Sequence, residues 1–521
     1  METAIADMGR SDILKEISAG QPLQRGVDGQ SLSQHLWNSI CLLDESSIAK
    51  SLRNQNRPVC SGKIGEESGL VPGAEAVGHV DAVGVILADP KLDGTIDVVI
   101  RKRILDGIGC SGMFDRQDRI SAAFPDTFSW LFAEDPSNSP MGFKGWLSSP
   151  VDNAPFWITG KPASGKRTFM KFIVTHQNLQ AMLERWSGRR KVLSAKVSFW
   201  GPGSPLQKSQ GGLLRSLLFQ LLRQRPDPCS TIVPRRYLFY MMTNYSHNLD
   251  LDIEWEVPEL RAALERFTAQ VDGADCSALF IDGLEEYGGN QTELVTFLVE
   301  LQKTHHLKLC ISSRPWNVFA DAFRANPSLR MEDLTKNDIH RSVNAHLQES
   351  AGFEELRRLY PVQINKLIHD IETKAQGVFF CVVLVVQELL IEVQDNPRLE
   401  AVRKTFNSLP QDLESLYNAI QKGLSNSQRE NASKLYQLTY EWKRLCGPTV
   451  DPTTLWVAFE FDDVTDFDCP LETKRSDDIP PILSRLLVGS TRGLLQIYRH
   501  LSYYQYEVDY LHRTAFDWLR L

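Results

Sequence analysis

Between residues 150 and 320, short apolar runs alternate with segments whose apolar residues recur at helical spacing. Leucines repeat every three to four positions in GGLLRSLLFQLLRQ, residues 211–224, and residues 255–267 have a similar pattern. The apolar runs predict four strands, at residues 156–159, 196–200, 278–281 and 308–312. Strands that alternate with helices are typical of a parallel sheet covered by helices. The pattern therefore predicts an α/β domain over residues 150–333.

On either side of this domain the pattern changes. From about Leu334 helical periodicity replaces the strands, apart from a strand-like LLQIY at 494–498 and a final helix that begins near His512. The most apolar run, residues 378–386, is much shorter than the roughly 20 residues that span a bilayer. We interpret it as a buried helix and expect no membrane span. Overall, the pattern predicts a mainly α-helical chain built around one α/β domain.

Length, charge and cysteine content narrow the class of protein. A chain of 521 residues is too long for one ordinary core. Its 57 Lys and Arg residues against 65 Asp and Glu residues argue against nucleic acid as the main partner. Basic residues cluster at 185–196, where a solvated helix end and loop is the simpler interpretation. Nine cysteines without a CxxC pair indicate neither a zinc site nor a disulfide framework, so we expect a cytoplasmic protein.

The segment GKPASGKRT, residues 160–168, has the spacing of a phosphate-binding loop. In such a loop, backbone N–H groups face one cavity at a helix N-terminus, and the lysine binds the outer phosphates. The segment lies between an apolar strand and the helix-like TFMKFIVTH. The alternative interpretation, a glycine turn with a surface lysine, would not require a strand before the segment and a helix after it. We therefore predict a nucleotide-binding loop formed by Gly160, Lys161, Pro162, Ala163, Ser164, Gly165, Lys166, Arg167 and Thr168.

Arg167 occupies the position at which this loop usually has a Ser or Thr hydroxyl that binds magnesium. Thr168 comes one residue later, which on a helix turns its hydroxyl away by about 100°. The backbone of the loop and Lys166 are unaffected, so we expect phosphate binding to persist. Whether Mg²⁺ binding and hydrolysis persist is left open by the sequence. One hypothesis is that Arg167 places its own charge near the phosphates and partly replaces the metal.

Acidic and basic residues follow the later strands. Asp282 ends the apolar run ALFID, where an acid binds magnesium or, alternatively, caps a helix. Glu285 and Glu286 follow, and one of them could act as a general base. Arg314 follows the run LCISS, where it either senses a terminal phosphate or pairs with a carboxylate for structural reasons. The carboxyl ends of parallel strands share one edge, so we expect these residues near the loop.

Eight segments of the chain, given below in their order along it, resemble the NACHT branch of the STAND signalling NTPases. Within that branch they resemble the fungal proteins that have a nephrocystin-3-like nucleotide-binding domain. The resemblance covers roughly residues 105–521. Besides GKPASGKRTFMKF, the segments are KVSFWGPGSPLQKSQGGLLRSLLFQLL, ALFIDGLEEY, KLCISSRPWNVF, DLTKNDI, KAQGVFFCVVLVV, LPQDLESLYNAI and YLHRTAFDWL.

The resemblance implies a role for individual residues. Lys166 matches the loop lysine, Asp282 the magnesium-binding acid, Glu285 and Glu286 the catalytic acids, and Arg314 the sensor arginine. His512 matches a winged-helix histidine that contacts the β-phosphate of ADP. Without the resemblance, His512 would be interpreted as a surface or core histidine.

The resemblance also implies an architecture. We expect an N-terminal region at 1–105 in the place of an effector domain, a helical connector at 106–149 and a nucleotide-binding domain at 150–333. A helical domain at 334–404 and a winged-helix-like domain at 405–521, which we expect to be truncated, follow. Relatives bind ATP or ADP, form oligomers when the nucleotide is exchanged, and signal to other proteins, often in self/non-self or immune-like responses.

Besides Arg167, two further features depart from the family pattern. Because of these departures, a second function remains possible. Ala163 stands where glycine is usual, and Gly377-Val378-Phe379 replaces a Gly-x-Pro that contacts adenine. Phe379 either packs against the base or belongs to the core. The main hypothesis is an ATP/ADP-operated switch with slow or absent hydrolysis. The alternative is a degenerate scaffold that acts only through protein contacts. A P-loop kinase or an AAA-type motor is disfavoured, because no acceptor-substrate pocket or trans-acting arginine stands out.

Overall fold

The computed structural model describes the larger part of the chain. Residues 1–28 and 56–93, much of the predicted N-terminal region, lie outside the described residues. The described residues are 29–55, 94–110, 113, 120, 123, 127–132, 142–150, 154–188, 190–201, 203–243, 253–269, 275–303, 307–334, 336–375, 377–447, 450–460, 478–499 and 506–520.

A five-stranded parallel sheet forms the α/β part of the molecule. Its strands are β1 (Phe156–Thr159), β2 (Lys191–Ser198), β3 (Asp275–Asp282), β4 (Leu307–Ser313) and β5 (Ser328–Arg330). They lie in the order β2-β3-β4-β1-β5, and all pairings are parallel. Every residue of β3 and β4 is buried, as the uninterrupted apolar runs predict for central strands. The predicted fold class, a parallel sheet with flanking helices in a mostly helical chain, is confirmed.

Two details of the sheet differ from the prediction. Strand β2 begins at Lys191, so part of the basic stretch 185–196 is a strand and not a loop. Because β2 is an edge strand, its exposed side tolerates lysines, which hides it from a search for apolar runs. The three-residue strand β5 was not predicted.

Helices make up most of the remaining described residues. Those before β3 are α1 (Gly29–Cys41), α2 (Glu45–Gln55), α3 (Gly94–Ile108), α4 (Phe143–Ser148), α5 (Lys166–Thr175), α6 (Asn178–Ser187), α7 (Gln210–Gln224), α8 (Cys229–Ile232), α9 (Pro234–Thr243) and α10 (Val257–Ala269). Those after β3 are α11 (Gln291–Lys303), α12 (Asn317–Phe323), α13 (Met331–Leu334), α14 (Lys336–Gln348), α15 (Ala351–Leu359), α16 (Pro361–Ala375), α17 (Phe379–Asp395), α18 (Leu399–Ser408), α19 (Leu413–Lys422), α20 (Asn426–Leu445), α21 (Pro452–Glu460), α22 (Ile479–Thr491) and α23 (Arg513–Leu519).

The chain forms two compact units, each assembled from two stretches of sequence. The first comprises Met1–Ser111 and Leu214–Gly273, and the second comprises Gly112–Leu213 and Ala274–Leu521. The predicted boundaries at 105/106, 333/334 and 404/405 lie inside helices α3, α13 and α18. The division into five functional segments stays a prediction.

Polar contacts connect the two stretches of the first unit. The Tyr237 hydroxyl donates to Asp97 Oδ1 at 2.6 Å, and Arg215 Nη2 donates to the Gly107 carbonyl at 2.6 Å. Within the second stretch, Arg236 is fully buried and forms an ion pair with Glu259, 2.8 Å between Nε and Oε1. Residues more than 100 positions apart therefore share one core.

The second unit contains the sheet, the later helices and an antiparallel hairpin, β6 (Leu495–Arg499) with β7 (Tyr506–Tyr510). The apolar run at 378–386 forms the start of α17 and the residue before it, and most side chains of the run are buried in a helical core, so the predicted buried helix is confirmed. Among the described residues, no helix combines the length and apolar content that crossing a bilayer requires. The winged-helix assignment of the C-terminal residues stays a prediction.

Candidate functional site

The predicted phosphate-binding loop connects β1 to α5. The helix begins at Lys166, directly after Gly165, which has a φ of 92°. Ala163 also has a positive φ, 61°, a conformation that costs energy for every residue except glycine. The loop therefore keeps its turn at the position where the family usually has glycine, although alanine makes that turn less favourable.

Lys166 is the buried cation of this loop. Its side chain Nζ donates to the carbonyl oxygens of Gly160 at 2.7 Å and Lys161 at 2.9 Å. Burial lowers the pKa of Lys166, and the carboxylates of Glu285 and Asp282 oppose this effect. The Ser164 hydroxyl is also buried, and it has no hydrogen-bond partner in the described part of the chain. Buried polar atoms of this kind need a partner, and a phosphate oxygen would supply one.

Asp282 ends strand β3 beside β4, as predicted. Its Oδ1 accepts a hydrogen bond from the Ser312 hydroxyl, whereas Oδ2 is buried and finds no partner among the described residues. Burial raises the pKa of this carboxyl, and the Arg167 guanidinium is the strongest of the effects that lower it. The alternative role as a helix cap does not apply, because Gly283 is the residue that precedes the short helix Leu284–Glu286.

Glu285 and Arg314 form a pair at the edge of the sheet. Arg314 Nε lies 3.4 Å from Glu285 Oε1, and the Arg314 backbone N–H donates to Oε2 at 3.2 Å. The glutamate is buried, and both residues line the cavity that the loop faces. Arg314 thus pairs with a carboxylate at the wall of the cavity, and its role as a phosphate sensor stays a prediction.

Three groups from different elements contact the Glu286 carboxylate. Arg167 Nη2 on α5 forms an ion pair with Oε1, and Arg513 Nη1 on α23 lies 3.3 Å from Oε2. The Gly201 backbone N–H donates to Oε2 at 2.8 Å. With these three partners the carboxylate is poorly placed to orient an attacking water.

His512 immediately precedes helix α23. Its Nδ1 accepts the Thr514 backbone N–H at 3.1 Å and lies 2.8 Å from the Thr514 hydroxyl oxygen. Because Nδ1 accepts, the proton of the neutral ring lies on Nε2. The ring also packs at 5.0 Å from that of Phe380. A contact between His512 and a β-phosphate stays a prediction.

Most of the predicted site residues line one cavity of about 310 Å³ within the second unit. This volume lies at the lower end of the range for small-molecule sites. The cavity is lined by loop residues 162–168, by Asp282, Glu285, Glu286 and Arg314, and by C-terminal residues 509–513. The structure therefore brings together the predicted site residues from four separate stretches of sequence.

Two predicted loop residues do not line the cavity. Gly160 uses its carbonyl to hold Lys166, and a side chain here would collide with the Ser164 hydroxyl at 2.6 Å. Lys161 is exposed, and its backbone N–H donates to Glu332 Oε1. These two residues shape the loop from outside the cavity.

Phe379 contributes to both the core and the cavity. Its ring packs edge-on against Phe128 at 6.2 Å, and it also lines the cavity close to Gly165. Gly377, two residues earlier, has a φ of 79°, and a side chain there would meet the Glu332 backbone at 2.7 Å. The Gly377 turn thus lies against α13. A stacking role of Phe379 toward a base stays a prediction.

Arg513 is a site residue that the sequence did not predict. It reaches Glu286 across Gly201, where an added Cβ would come within 2.8 Å of the Arg513 guanidinium carbon. Its position next to His512 in YLHRTAFDWL was the only signal, and nothing in the pattern separates it from a surface arginine.

The residues around Asp282 do not fit Mg²⁺. This ion prefers six oxygen ligands in an octahedron, whereas the hydroxyl that should provide one of them is replaced by Arg167. The Arg167 guanidinium lies on Glu286 and acts electrostatically on Asp282. Among the described residues, no group of three acidic, histidine or cysteine side chains is arranged to hold a metal.

Residues 126–314 match the family described as nephrocystin 3, N-terminal. This match confirms the resemblance to the NACHT-like P-loop NTPases for these residues, and the fungal assignment stays a prediction. None of the curated proteins compared with the sequence matches it.

Two solved structures are similar to this chain. A chain of the Drosophila ORC bound to DNA has 14% identity and a TM-score of 0.29, over 72% of this chain and 91% of that one. The Aeropyrum pernix ORC2 protein in ADPNP-ADP complexes has 12% identity and a TM-score of 0.28, over 72% and 88%. With TM-scores this low, neither likeness adds to what the strand order shows.

Proposed function

We propose that this chain, which contains a NACHT-like P-loop nucleotide-binding domain, is a switch operated by ATP and ADP. One observation carries the proposal: the phosphate-binding loop and the C-terminal residues His512 and Arg513 line the same cavity. A nucleotide bound to the loop would contact both parts at once. Its phosphates would bind Lys166 and the loop backbone, while the Nε2–H of His512 could reach them from the other side.

We propose that hydrolysis is slow or absent. A general base must be able to accept a proton from the attacking water. Glu286 forms ion pairs with Arg167 and Arg513 and accepts the Gly201 N–H, and Glu285 accepts the Arg314 backbone N–H, so we expect neither carboxylate to be well placed to orient an attacking water. We expect that phosphate release from ATP does not exceed that of a Lys166→Ala variant.

Nucleotide binding can be tested on the purified full chain. Denaturing the protein and identifying the released nucleotide shows whether ADP or ATP copurifies with it. Thermal unfolding with and without added ADP gives a second measure, since a ligand that binds only the folded state raises Tm by mass action. We expect about one nucleotide per chain, or a clear rise in Tm with ADP.

Two lysines of the same loop provide a matched pair of variants. Lys166→Ala removes the buried cation and should weaken ADP binding by on the order of tenfold to a hundredfold, the value of a charge-assisted hydrogen bond. Lys161→Ala changes an exposed side chain that does not line the cavity and should bind ADP as the wild type does. Equal binding by both variants would contradict the proposal.

The resemblance further supports proposals about partners. We propose that exchange of ADP for ATP releases the C-terminal segment and permits self-association, and that the oligomer signals to other proteins in the cytoplasm. Light scattering of the same preparation with ADP and with a non-hydrolysable ATP analogue tests the first step. A mass that is the same with both nucleotides would contradict it.

One observation favours the second candidate function, a scaffold that uses no nucleotide. Lys166 is satisfied by loop carbonyls, and Glu285 and Glu286 are satisfied by arginines, so the charges of the site are balanced within the protein. A preparation that contains no nucleotide and is not stabilised by ADP or ATP would support the scaffold.

A further inference from the structure

The first turn of α5 presents two adjacent cations to the cavity. Lys166 is held by the loop backbone, whereas Arg167 extends to Glu286. The Arg167 side chain is 17% exposed, so part of it borders the cavity. It stands at the position that supplies the metal-binding hydroxyl in other loops of this type.

We propose that Arg167 replaces the divalent cation, so that the site binds a nucleoside diphosphate without magnesium. The inference rests on the proposed nucleotide binding and adds the form in which the nucleotide binds. A guanidinium carries a permanent charge and presents donors in a planar fork that matches phosphate oxygens.

The surroundings of Arg167 permit it to change partner. Moving the guanidinium from Glu286 to a phosphate exchanges one anion for another. Glu286 is not left unpaired by this exchange, because Arg513 and the Gly201 N–H still hold its Oε2. Removing the only partner of a buried charge is costly, and the second arginine avoids that cost here.

A magnesium ion would be disfavoured in the same place. Asp282 offers one carboxylate oxygen without a protein partner, since the other accepts from Ser312. A divalent cation beside Asp282 would lie close to the fixed charge of Arg167, and like charges at short range repel. Because ATP binds magnesium more tightly than ADP does, a site that rejects the metal discriminates in favour of ADP.

The test compares ADP affinity with excess magnesium and with a chelator, by titration calorimetry on the full chain. We expect the Kd of the wild type to change by less than about twofold between the two conditions. For Arg167→Ser, which restores the hydroxyl and removes the charge, we expect ADP to bind weakly with chelator. Magnesium should then tighten it by on the order of tenfold.

One further variant and two outcomes of the wild-type titration separate the possible failures. Arg167→Lys keeps the charge at this position, so its ADP affinity should remain insensitive to magnesium. This variant serves as the control if Arg167→Ser is less stable than the wild type. It shows that the magnesium dependence of Arg167→Ser comes from the lost charge and not from the loss of the arginine side chain. If magnesium tightens ADP binding to the wild type tenfold or more, the inference is overturned while nucleotide binding stands. If the wild type binds ADP in neither condition, the proposed function itself fails and this inference falls with it.

Discussion

Two arginine–glutamate pairs in this molecule use the same chemistry under different conditions. In the first unit, Arg236 is fully buried and forms two hydrogen bonds with Glu259. Its remaining donors bind the carbonyls of Ile253 and Glu254, each at 2.6 Å. The guanidinium also lies between two tryptophan rings, 4.2 Å from the centre of Trp37 and 4.4 Å from that of Trp255.

In the second unit, Arg167 pairs with Glu286 at the wall of a cavity. The glutamate is shared with a second arginine and a backbone N–H, and the arginine borders open space. The first pair therefore has no way to rearrange without losing several contacts at once. The second can exchange its anion for a ligand. Burial and the number of fixed partners, not the identity of the residues, separate a structural ion pair from one that can respond to a ligand.

The largest effect should come from the structural pair. Arg236→Leu leaves Glu259 without its partner and two backbone carbonyls without donors, so we expect a loss of about 3–5 kcal/mol in the free energy of unfolding. Urea unfolding followed by tryptophan fluorescence measures it, since Trp37 and Trp255 flank the site. Arg235→Leu removes a partly exposed arginine 3.4 Å from Glu45 and should cost less than about 1 kcal/mol. Equal losses of unfolding free energy in the two variants would show that Arg236 is no more important for stability than a partly exposed arginine.

An intermediate effect is expected at the cavity. Glu286→Gln takes the anion from Arg167 and Arg513, and we expect the protein without ligand to lose about 1–3 kcal/mol of stability. ADP should recover part of this loss, because a phosphate gives Arg167 a new anion. The rise in Tm on adding ADP should therefore exceed that of the wild type. The matched Glu259→Gln variant should show the wild-type rise, and the same rise in Glu286→Gln would count against an exchangeable pair.

The smallest effect on stability is expected in the phosphate-binding loop. It tests the backbone conformation of the loop and leaves its charged side chains unchanged. Ala163→Gly relieves the positive φ but adds freedom to the unfolded chain, so we expect a net gain below about 1 kcal/mol. Ala320→Gly, in helix α12, should instead lose about 1 kcal/mol. Thermal unfolding of the two variants gives the comparison. A loss of stability in Ala163→Gly would show that the turn is not strained.

Local pattern was enough to predict the parts of the site that follow buried strands. Asp282 and Arg314 come after the apolar strands β3 and β4, and a parallel sheet brings the ends of such strands together. The same reasoning misplaced the start of β2, where an edge position allows lysines at 191 and 196. Amphipathic edge strands carry a weaker signal than central ones.

Other features depend on contacts that no local pattern contains. Arg513 forms an ion pair with Glu286, which is 227 positions earlier in the chain. Its guanidinium occupies space that is open only because residue 201 is glycine. The partners of Arg167 and the second arginine on Glu286 follow from the same tertiary arrangement. Sequence reasoning could identify Arg167 as a departure from the loop pattern, but only the structure shows which anion it binds.

The interleaved assembly of the two units has a consequence for how the chain is made. Residues 214–273 complete a unit that begins in the first 111 residues, and they emerge from the ribosome between β2 and β3 of the sheet. Domains fold as units during synthesis, N-terminal first. Here the central strands β3 and β4 are synthesised only after the last residues of the other unit. A fragment limited to residues 126–314 would contain residues 214–273 of the first unit and lack its other stretch, so its exposed apolar surface should make it prone to aggregation.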